Sequence, residues 1–224
     1  MTRVVIFGGG GHAVVVREVM EVEGKHAPAA VLVDDVHLDS VRPELRDLEV
    51  FPVSALDQVR GRGLAHAVVA IGDNAARRRR ADLLRRRGFQ LIQVRHSHAI
   101  VARSAVVGDG TVLMPGAVVG SGARLGCDVI VNTSASVDHD CVLEDGVHIC
   151  PGAHLPGGAS GRGRSRRGAH LGGDRSVRHS WGADWRAQHG GRRRGGGARP
   201  AGGRCGIRGA GSGGAGARER RGLR

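Results

Sequence analysis

A strict six-residue repeat runs through the middle of the chain. From Val101, an aliphatic residue recurs at every sixth position for ten consecutive hexads and ends at Leu155. Four positions further into each hexad stands a small or β-branched residue, in a second series from Ala105 to Ala159. Neither a strand, with a period of 2, nor a helix, with a period of 3.6, produces this pattern. A triangular solenoid does, because each hexad forms one flat side and stacked coils bury a continuous core. The sequence therefore predicts a left-handed parallel β-helix over residues 99–159.

The first 98 residues have a different organisation. Short apolar runs at residues 3–7, 30–34 and 66–71 read as strands, and residues 12–23 read as a helix. The runs do not alternate apolar and polar residues, which is typical of a parallel sheet covered on both faces. The segments between them are long enough for crossovers, so residues 1–98 are predicted to form a small α/β domain with an open parallel sheet.

The last segment, residues 160–224, breaks the repeat and holds the excess charge of the chain. Residues 1–159 carry 17 Lys and Arg against 18 Asp and Glu, whereas residues 160–224 carry 17 Arg against 3 acidic residues. The net charge of +13 therefore comes from the tail alone. A disordered basic tail and an Arg/Gly segment that binds nucleic acid are two interpretations. We favour a third, in which GC-rich DNA is read in a shifted frame, because back-translation of residues 181–203 permits further hexads one base later.

A glycine-rich loop follows the first predicted strand. The segment GGGGHA at residues 8–13 fits the pattern G-x-G-x-x-A, and Asp34 follows about twenty residues later. Glycines in such a loop let backbone N–H groups approach a phosphate at a helix N-terminus. A tight strand-to-helix turn is an equally good interpretation, and the loop alone also permits a nicotinamide-dependent oxidoreductase. The domain is about half the size of a full dinucleotide fold, which favours a mononucleotide or a nucleotide sugar.

Polar side chains that could carry chemistry cluster in the β-helix at Asn132, His139, Asp140 and His148. A histidine acts as a general base near neutral pH, and an adjacent carboxylate orients it and supports its protonated form. A solvated residue of the coil is the plainer interpretation of each one. The spacings His139-x-Cys141 and His148-x-Cys150 also resemble paired metal ligands, but these residues occupy different phases of the hexad and cannot converge. No metal site is predicted.

Two arginine runs, at residues 77–80 and 85–87, fall on a predicted helix. A solvated helix face is the expected role of both runs. Arg77, close to Asp73 and Asn74, is the member that could instead touch a phosphate.

The order of these motifs resembles a known family. GGGGH, Asp34-Asp35, AIGDN at residues 70–74, VNTSASVDHDC at residues 131–141 and VHICPGA at residues 147–153 are similar to the sialic-acid O-acetyltransferases and the bacillosamine-pathway N-acetyltransferases. The resemblance covers residues 1–159 almost continuously. It implies a Rossmann-like domain that binds a UDP-sugar, a β-helix that forms homotrimers, and acetyl-CoA bound between neighbouring β-helices as co-substrate.

The resemblance also implies roles for individual residues. His139 would be the general base that takes a proton from a sugar amine or hydroxyl, and Asp140 its acidic partner. Asn132 and His148 would position the acetyl thioester, and Gly157 would lie close to the pantetheine arm. The residues that would line the nucleotide-sugar pocket are Gly8, Gly10, His12, Asp34, Asp35, Gly72 and Asn74.

One departure from the family concerns the end of the β-helix. In the family, further coils after the one at Leu155 complete the acetyl-CoA groove, whereas here the Arg/Gly segment replaces them. We therefore expect the chain as written to be weakly active or inactive.

Because the first residues lack the basic region and cleavage site of a signal peptide and no run of eighteen apolar residues occurs, a cytoplasmic enzyme of surface glycan biosynthesis without membrane contact is expected. A nucleic-acid-binding protein is the alternative.

Overall fold

The computed structural model describes residues 1–161 and 207–209. The first domain contains five strands and three helices, joined in part by 3-10 turns at Asp35–Ser40, Pro43–Leu45 and Val53–Ala55. The helices are α1 (Gly11–Glu23), α2 (Leu56–Gly61) and α3 (Asn74–Arg86). The strands are β1 (Thr2–Phe7), β2 (His26–Val33), β3 (Glu49–Pro52), β4 (His66–Val69) and β5 (Gln90–Leu91).

The five strands form one parallel sheet in the order β3-β2-β1-β4-β5. The chain builds outward from β1 to β3, then crosses back to β4 on the other side of β1. This reversal places a crevice beyond the carboxyl ends of β1 and β4, which is where open α/β sheets bind their ligands. The predicted open sheet is confirmed, and β3 and β5 are strands that the sequence did not predict.

The second domain is the predicted β-helix. Its strands fall into three sheets, in the orders β6-β9-β12-β15, β7-β10-β13-β16 and β8-β11-β14-β17. Partners in neighbouring coils lie 18 residues apart, as in the pair Ile100 and Val118. The first strand begins at Val94, before the predicted boundary at residue 98. The strands are β6 (Val94–Arg95), β7 (Ile100–Val101), β8 (Val106–Gly108), β9 (Val112–Leu113), β10 (Val118–Val119), β11 (Arg124–Leu125), β12 (Ile130–Val131), β13 (Ser136–Val137), β14 (Val142–Leu143), β15 (His148–Ile149), β16 (His154–Leu155) and β17 (Ser160–Gly161).

Both hexad series contribute to the interior of the prism. From Leu113 to Leu155 the aliphatic positions are buried, and from Ala117 to Ala159 the small positions pack among them. From Gly110 onward, the residue before each small position turns a corner with positive φ, usually at a glycine such as Gly116 or Gly146. One coil departs from glycine at all three corners, where Asp128, Ser134 and Asp140 adopt φ values of 58°, 54° and 57°.

The first domain packs on an outer face of the β-helix. Val16 and Met20 of α1 share a buried cluster with Val94, Val112 and Met114 of the β-helix. The helix is therefore covered on both sides, by the parallel sheet and by the β-helix, which explains its apolar surface.

The arginine runs contradict the prediction of a solvated helix face. Arg77 of α3 is fully buried and donates hydrogen bonds to carbonyl groups of the β-helix. Arg85 forms a bidentate ion pair with Asp128, with both N–O distances at 2.8 Å. Arg79, Arg86 and Arg87 are the members that lie exposed. A run of arginines in the sequence does not show which members are buried and which are exposed, because a helix turns successive residues to different faces.

The tail predicted for residues 160–224 lies outside the described residues, apart from two short strands. Strand β17 adds the start of one more coil, and β18 (Ile207–Gly209) pairs antiparallel with β8. Among the described helices, none is both long enough and apolar enough to cross a membrane.

Candidate functional site

The carboxyl ends of β1 and β4 meet at the crevice of the sheet. Gly8 follows β1 with φ of 139°, and a Cβ atom there would approach the Ala70 carbonyl oxygen to 2.5 Å. Its amide donates a 2.8 Å hydrogen bond to the Leu32 carbonyl. Only glycine fits this close approach of two backbones, so Gly8 shapes the crevice through its lack of a side chain.

The N-terminus of α1 opens beside this turn. Gly10 is its N-cap, exposed and without any side-chain cap, and no acidic residue stands in the first turn. The first N–H groups of the helix are therefore available to an anion. Burial, with a smaller effect of the Arg77 charge, lowers the pKa of His12 to about 4, so its imidazole is neutral at pH 7. Its Nε2 atom is buried and has no hydrogen-bond partner in the described chain.

Two aspartates follow β2 at the same edge of the sheet. Asp34 pairs with Arg80 of α3 at 2.7 Å, and the guanidinium carbon of Arg80 lies 5.8 Å from the centre of the Phe7 ring. Asp35 is exposed and accepts hydrogen bonds from the amide and hydroxyl of Ser54, both at 3.2 Å. Arg80 thus brings a cation to the edge where the sequence placed only acidic residues.

The loop after β4 is held in place by hydrogen bonds from Arg77. Asn74 is buried, and its Oδ1 accepts a 2.8 Å hydrogen bond from Arg77. The Ile71 and Gly72 carbonyls accept from the same guanidinium, each at 2.9 Å. A Cβ atom on Gly72 would meet no neighbour within 4 Å, so this glycine borders open space.

In the β-helix, the structure brings His139 and Asp140 together. The His139 Nδ1 atom lies 2.9 Å from Asp140 Oδ2, and both side chains are mostly exposed. This hydrogen bond, with the Asp138 charge in second place, raises the pKa of His139. With Nδ1–H donating to the carboxylate, Nε2 carries the free lone pair, which is the arrangement of an oriented general base.

Gly157 lies directly against the imidazole of His139 in the next coil. A Cβ atom at residue 157 would overlap Nε2, Cε1 and Cδ2 of the ring. The φ of Gly157 is not in the left-handed region, so space for the histidine is what favours glycine here.

Asn132 and His148 form a second pair on adjacent coils. The Asn132 amide nitrogen lies 3.0 Å from His148 Nε2, and His148 is buried. Asn132 Oδ1 accepts from the Thr133 amide at 2.8 Å, which fixes the amide so that its nitrogen donates to the imidazole. In this arrangement Nε2 of His148 is the acceptor of the hydrogen bond.

The structure thus groups the candidate residues into a crevice in the first domain and two histidine pairs in the β-helix. The sequence pointed to Arg77 as a possible phosphate contact, but the structure buries it completely beneath the crevice, and the sequence did not point to Arg80. Within residues 1–161 and 207–209, no group of three or more His, Cys, Asp or Glu side chains could hold a metal ion.

A Rossmann-like domain joined to a hexad β-helix defines a class of fold, that of the hexapeptide acetyltransferases. A family model described as the PglD N-terminal domain matches residues 3–84. The UDP-N-acetylbacillosamine N-acetyltransferase of Bacillus subtilis (strain 168) is 36% identical over 116 residues, which cover 51% of this chain and 52% of that protein. The GDP-perosamine N-acetyltransferase of Escherichia coli O157:H7 is 27% identical over 89 residues, which cover 40% of each chain. The chain thus spans about half or less of these relatives' length.

Solved structures extend the likeness over both domains. A variant of the perosamine N-acetyltransferase from Caulobacter crescentus, in complex with CoA and GDP-perosamine, is 37% identical with a TM-score of 0.65, over 70% of this chain and 72% of that one. The acetyltransferase domain of PglB from Neisseria gonorrhoeae FA1090, in complex with acetyl coenzyme A, is 35% identical with a TM-score of 0.62, over 71% and 75% of the two chains. The chain belongs to the PglD-type family of sugar acetyltransferases.

Proposed function

We propose that the protein transfers an acetyl group from acetyl-CoA to the amine of a nucleotide-linked sugar, a reaction of surface glycan biosynthesis. The observation that carries the proposal is the His139–Asp140 pair, a solvent-accessible base with a raised pKa on the β-helix of a sugar acetyltransferase. The amine is preferred to a hydroxyl because the relatives are named as N-acetyltransferases. The same likeness gives no support to the nucleic-acid-binding alternative.

The proposed chemistry needs one base and no covalent enzyme intermediate. The sugar nitrogen attacks the thioester carbonyl, a C–N bond forms, and the C–S bond to CoA breaks. His139 Nε2 takes the proton that the nitrogen loses, and that proton then neutralises the departing CoA thiolate. Asp140 stabilises the imidazolium between these two steps. Holding both substrates in place lowers the remaining barrier.

Acetyl-CoA is proposed to bind along the β-helix near the two histidine pairs. The Asn132 amide of the Asn132–His148 pair carries no charge, so it can donate a hydrogen bond to the thioester without introducing charge. Gly157, which packs directly against the His139 ring, places the base beside the proposed path of the pantetheine arm.

The crevice of the first domain is proposed to bind the nucleotide part of a UDP- or GDP-sugar. Gly8 and Gly10 expose the N-terminus of α1 to the diphosphate, and neutral His12 offers a donor beside it. Asp34 and Asp35 lie at the edge where a ribose or base would be recognised. Gly72 and Asn74 form the opposite wall.

We further propose that the protein is a homotrimer of the cytoplasm, where acetyl-CoA and nucleotide sugars are supplied. Exposed aliphatic side chains on the β-helix support association, since Ile100 and Val118 are neighbours on the outer face of one sheet. Light scattering of the purified chain gives the mass that checks the trimer.

The function is tested by incubating the chain with acetyl-CoA and UDP- or GDP-linked amino sugars. CoA release and product mass are followed, and a hydroxyl-bearing analogue distinguishes N- from O-acetylation. A parallel version that continues past Gly161 in the shifted reading frame tests whether the Arg/Gly segment limits activity. Absence of acetylated product from both versions, with every amino and hydroxyl acceptor, contradicts the proposal.

The pH dependence of acetyl transfer should reflect the Asp140 hydrogen bond. A general base works only when deprotonated, so the raised pKa of His139 places the acid limb of the rate above the usual pKa of histidine. We expect Asp140→Asn to shift this limb to lower pH and to lower the maximal rate about tenfold to a hundredfold. The profile of kcat/KM against pH measures both effects. An unshifted acid limb would show that another group titrates.

Gly157→Ala should separate catalysis from stability. The added methyl overlaps the imidazole, which can swing into solvent because it is exposed, so the free energy of unfolding should change by less than about 1 kcal/mol. Acetyl transfer should fall at least about a hundredfold, because the base leaves its position. Gly61→Ala is the matched control, since a Cβ there meets nothing within 4 Å. Retained activity in Gly157→Ala would show that the ring position is not critical.

A further inference from the structure

The guanidinium of Arg77 has every one of its donors satisfied in the interior. Arginine carries five N–H donors, and five oxygen acceptors surround this side chain. Nη1 donates to the Ile71 and Gly72 carbonyls, both at 2.9 Å. Nη2 donates to Asn74 Oδ1 at 2.8 Å and to the Gly146 carbonyl at 2.7 Å, and Nε donates to the Asp128 carbonyl at 2.8 Å. The residue has no exposed surface.

These acceptors belong to two different parts of the molecule. Ile71, Gly72 and Asn74 form the loop after β4 that borders the crevice of the first domain. Asp128 and Gly146 are 18 residues apart and form the same corner of two successive coils of the β-helix. Gly146 is two residues before His148, which places one end of the network beside the Asn132–His148 pair.

Within the described part of the chain no carboxylate forms a hydrogen bond to Arg77, although it is charged and buried. Burial lowers its pKa to about 10, with the Asp128 and Asp73 charges opposing the change, so it stays protonated near pH 7. A buried charge that binds only neutral oxygens is costly if its purpose is to hold two domains together, because apolar packing does this better. What the five hydrogen bonds of Arg77 provide is specific geometry, because they fix the 71–74 loop relative to the β-helix corner at Asp128 and Gly146.

We propose that Arg77 is a positioning residue that sets the 71–74 loop of the crevice against the coils that carry His148. This inference rests on the proposed function for its consequence, namely that the nucleotide-sugar pocket and the acetyl-CoA site keep a fixed relation. Arg85 offers the contrast, because it joins the same helix to the same corner through Asp128 but has no bond to the loop.

Hydrogen exchange of the full chain tests the positioning directly. Arg77→Lys keeps the charge but has three donors, so at least two acceptors lose their partner. We expect amides of residues 71–74 and 145–148 to exchange about tenfold faster, and affinity for UDP or GDP in calorimetric titration to fall about tenfold. Arg85→Lys should speed exchange near Asp128 alone. Arg86→Lys, on an exposed position of the same helix, should change neither.

The outcomes distinguish the inference from general loss of stability. Unchanged exchange in the 71–74 loop of Arg77→Lys overturns it, as does equal loosening of that loop by Arg85→Lys. If Arg77→Lys does not fold, Asn74→Ala removes a single acceptor, and the same loop should exchange faster there; no change overturns the inference. If the unsubstituted chain binds neither nucleotide while the exchange pattern holds, the proposed function fails and the positioning stands.

Discussion

Replacing His139 with alanine is expected to lower kcat/KM for acetyl transfer by about a thousandfold while the fold stays intact. General-base catalysis contributes about a hundredfold to ten-thousandfold in enzymes that use it, and the hydrogen bond from Nδ1 to Asp140 leaves Nε2 of this imidazole with a free lone pair to accept the proton. Its side chain is 62% exposed, so its removal empties no cavity and costs little stability. The rate is measured by CoA release at saturating acetyl-CoA.

His154→Ala is the matched control for this experiment. His154 is an exposed histidine of the next coil, and its Nδ1 atom lies 2.8 Å from the Ser136 hydroxyl, a neutral group in place of the carboxylate beside His139. We expect its rate to stay within about twofold of the unsubstituted chain. Dissociation constants for CoA and nucleotide should be unchanged in both variants. A His139→Ala protein that retains most of its rate would show that the amine loses its proton elsewhere.

The β-helix is the part of the fold that the sequence predicts best, for a physical reason. A six-residue period belongs to one architecture, and each hexad obeys it because every coil must fit the coil beneath. The corners also follow, since glycine marks most positions of positive φ. The repeat identifies which positions form the core and the corners of the β-helix. Polar residues at the other positions, among them the two histidine pairs, can therefore be recognised as functional candidates.

The crevice and the domain interface could not be predicted in the same way. Short strands such as β3 and β5 leave no periodic signal, because their residues depend on neighbours far along the chain. Arg77, Arg80 and Arg85 look alike in sequence, yet one is fully buried, one pairs with Asp34 and one with Asp128. Charge alone does not tell these roles apart, since each is set by which acceptors the fold brings near.

In one coil of the β-helix, the regular repeat and the contacts that the fold creates bear on the same residues. Its three corners carry Asp128, Ser134 and Asp140 in a conformation that costs a side-chain-bearing residue about 1 kcal/mol. Two of the three use the side chain, since Asp128 binds Arg85 of the first domain and Asp140 orients His139. Departure from glycine within a regular repeat is therefore a signal of function that can be read from sequence.

Asp128→Ala is expected to lower the free energy of unfolding by about 3–5 kcal/mol, the cost of breaking a buried ion pair on one side. Both carboxylate oxygens bind Arg85 at 2.8 Å, and the two side chains are only 5% and 12% exposed. Alanine leaves the guanidinium with Asp82, at 3.6 Å, and the more remote charge of Asp145. Urea unfolding measures the loss, and Ser134→Ala, at a corner of the same coil with φ of 54°, is the control.

The double variant Asp128→Ala with Arg85→Met shows where that cost arises. Burial raises the pKa of Asp128, and the hydrogen bond from Arg85 only partly opposes this, so the carboxylate does not favour the folded state by its charge alone. Most of the loss in the single variant should therefore come from the unpaired guanidinium that is left behind. Removing both groups should recover at least half of the lost free energy. If the double variant is as unstable as the single one, the ion pair itself stabilises the interface. Recovery would instead show that the ion pair adds little stability. Its role would then be to hold α3, and with it Arg77, at a fixed place on the β-helix.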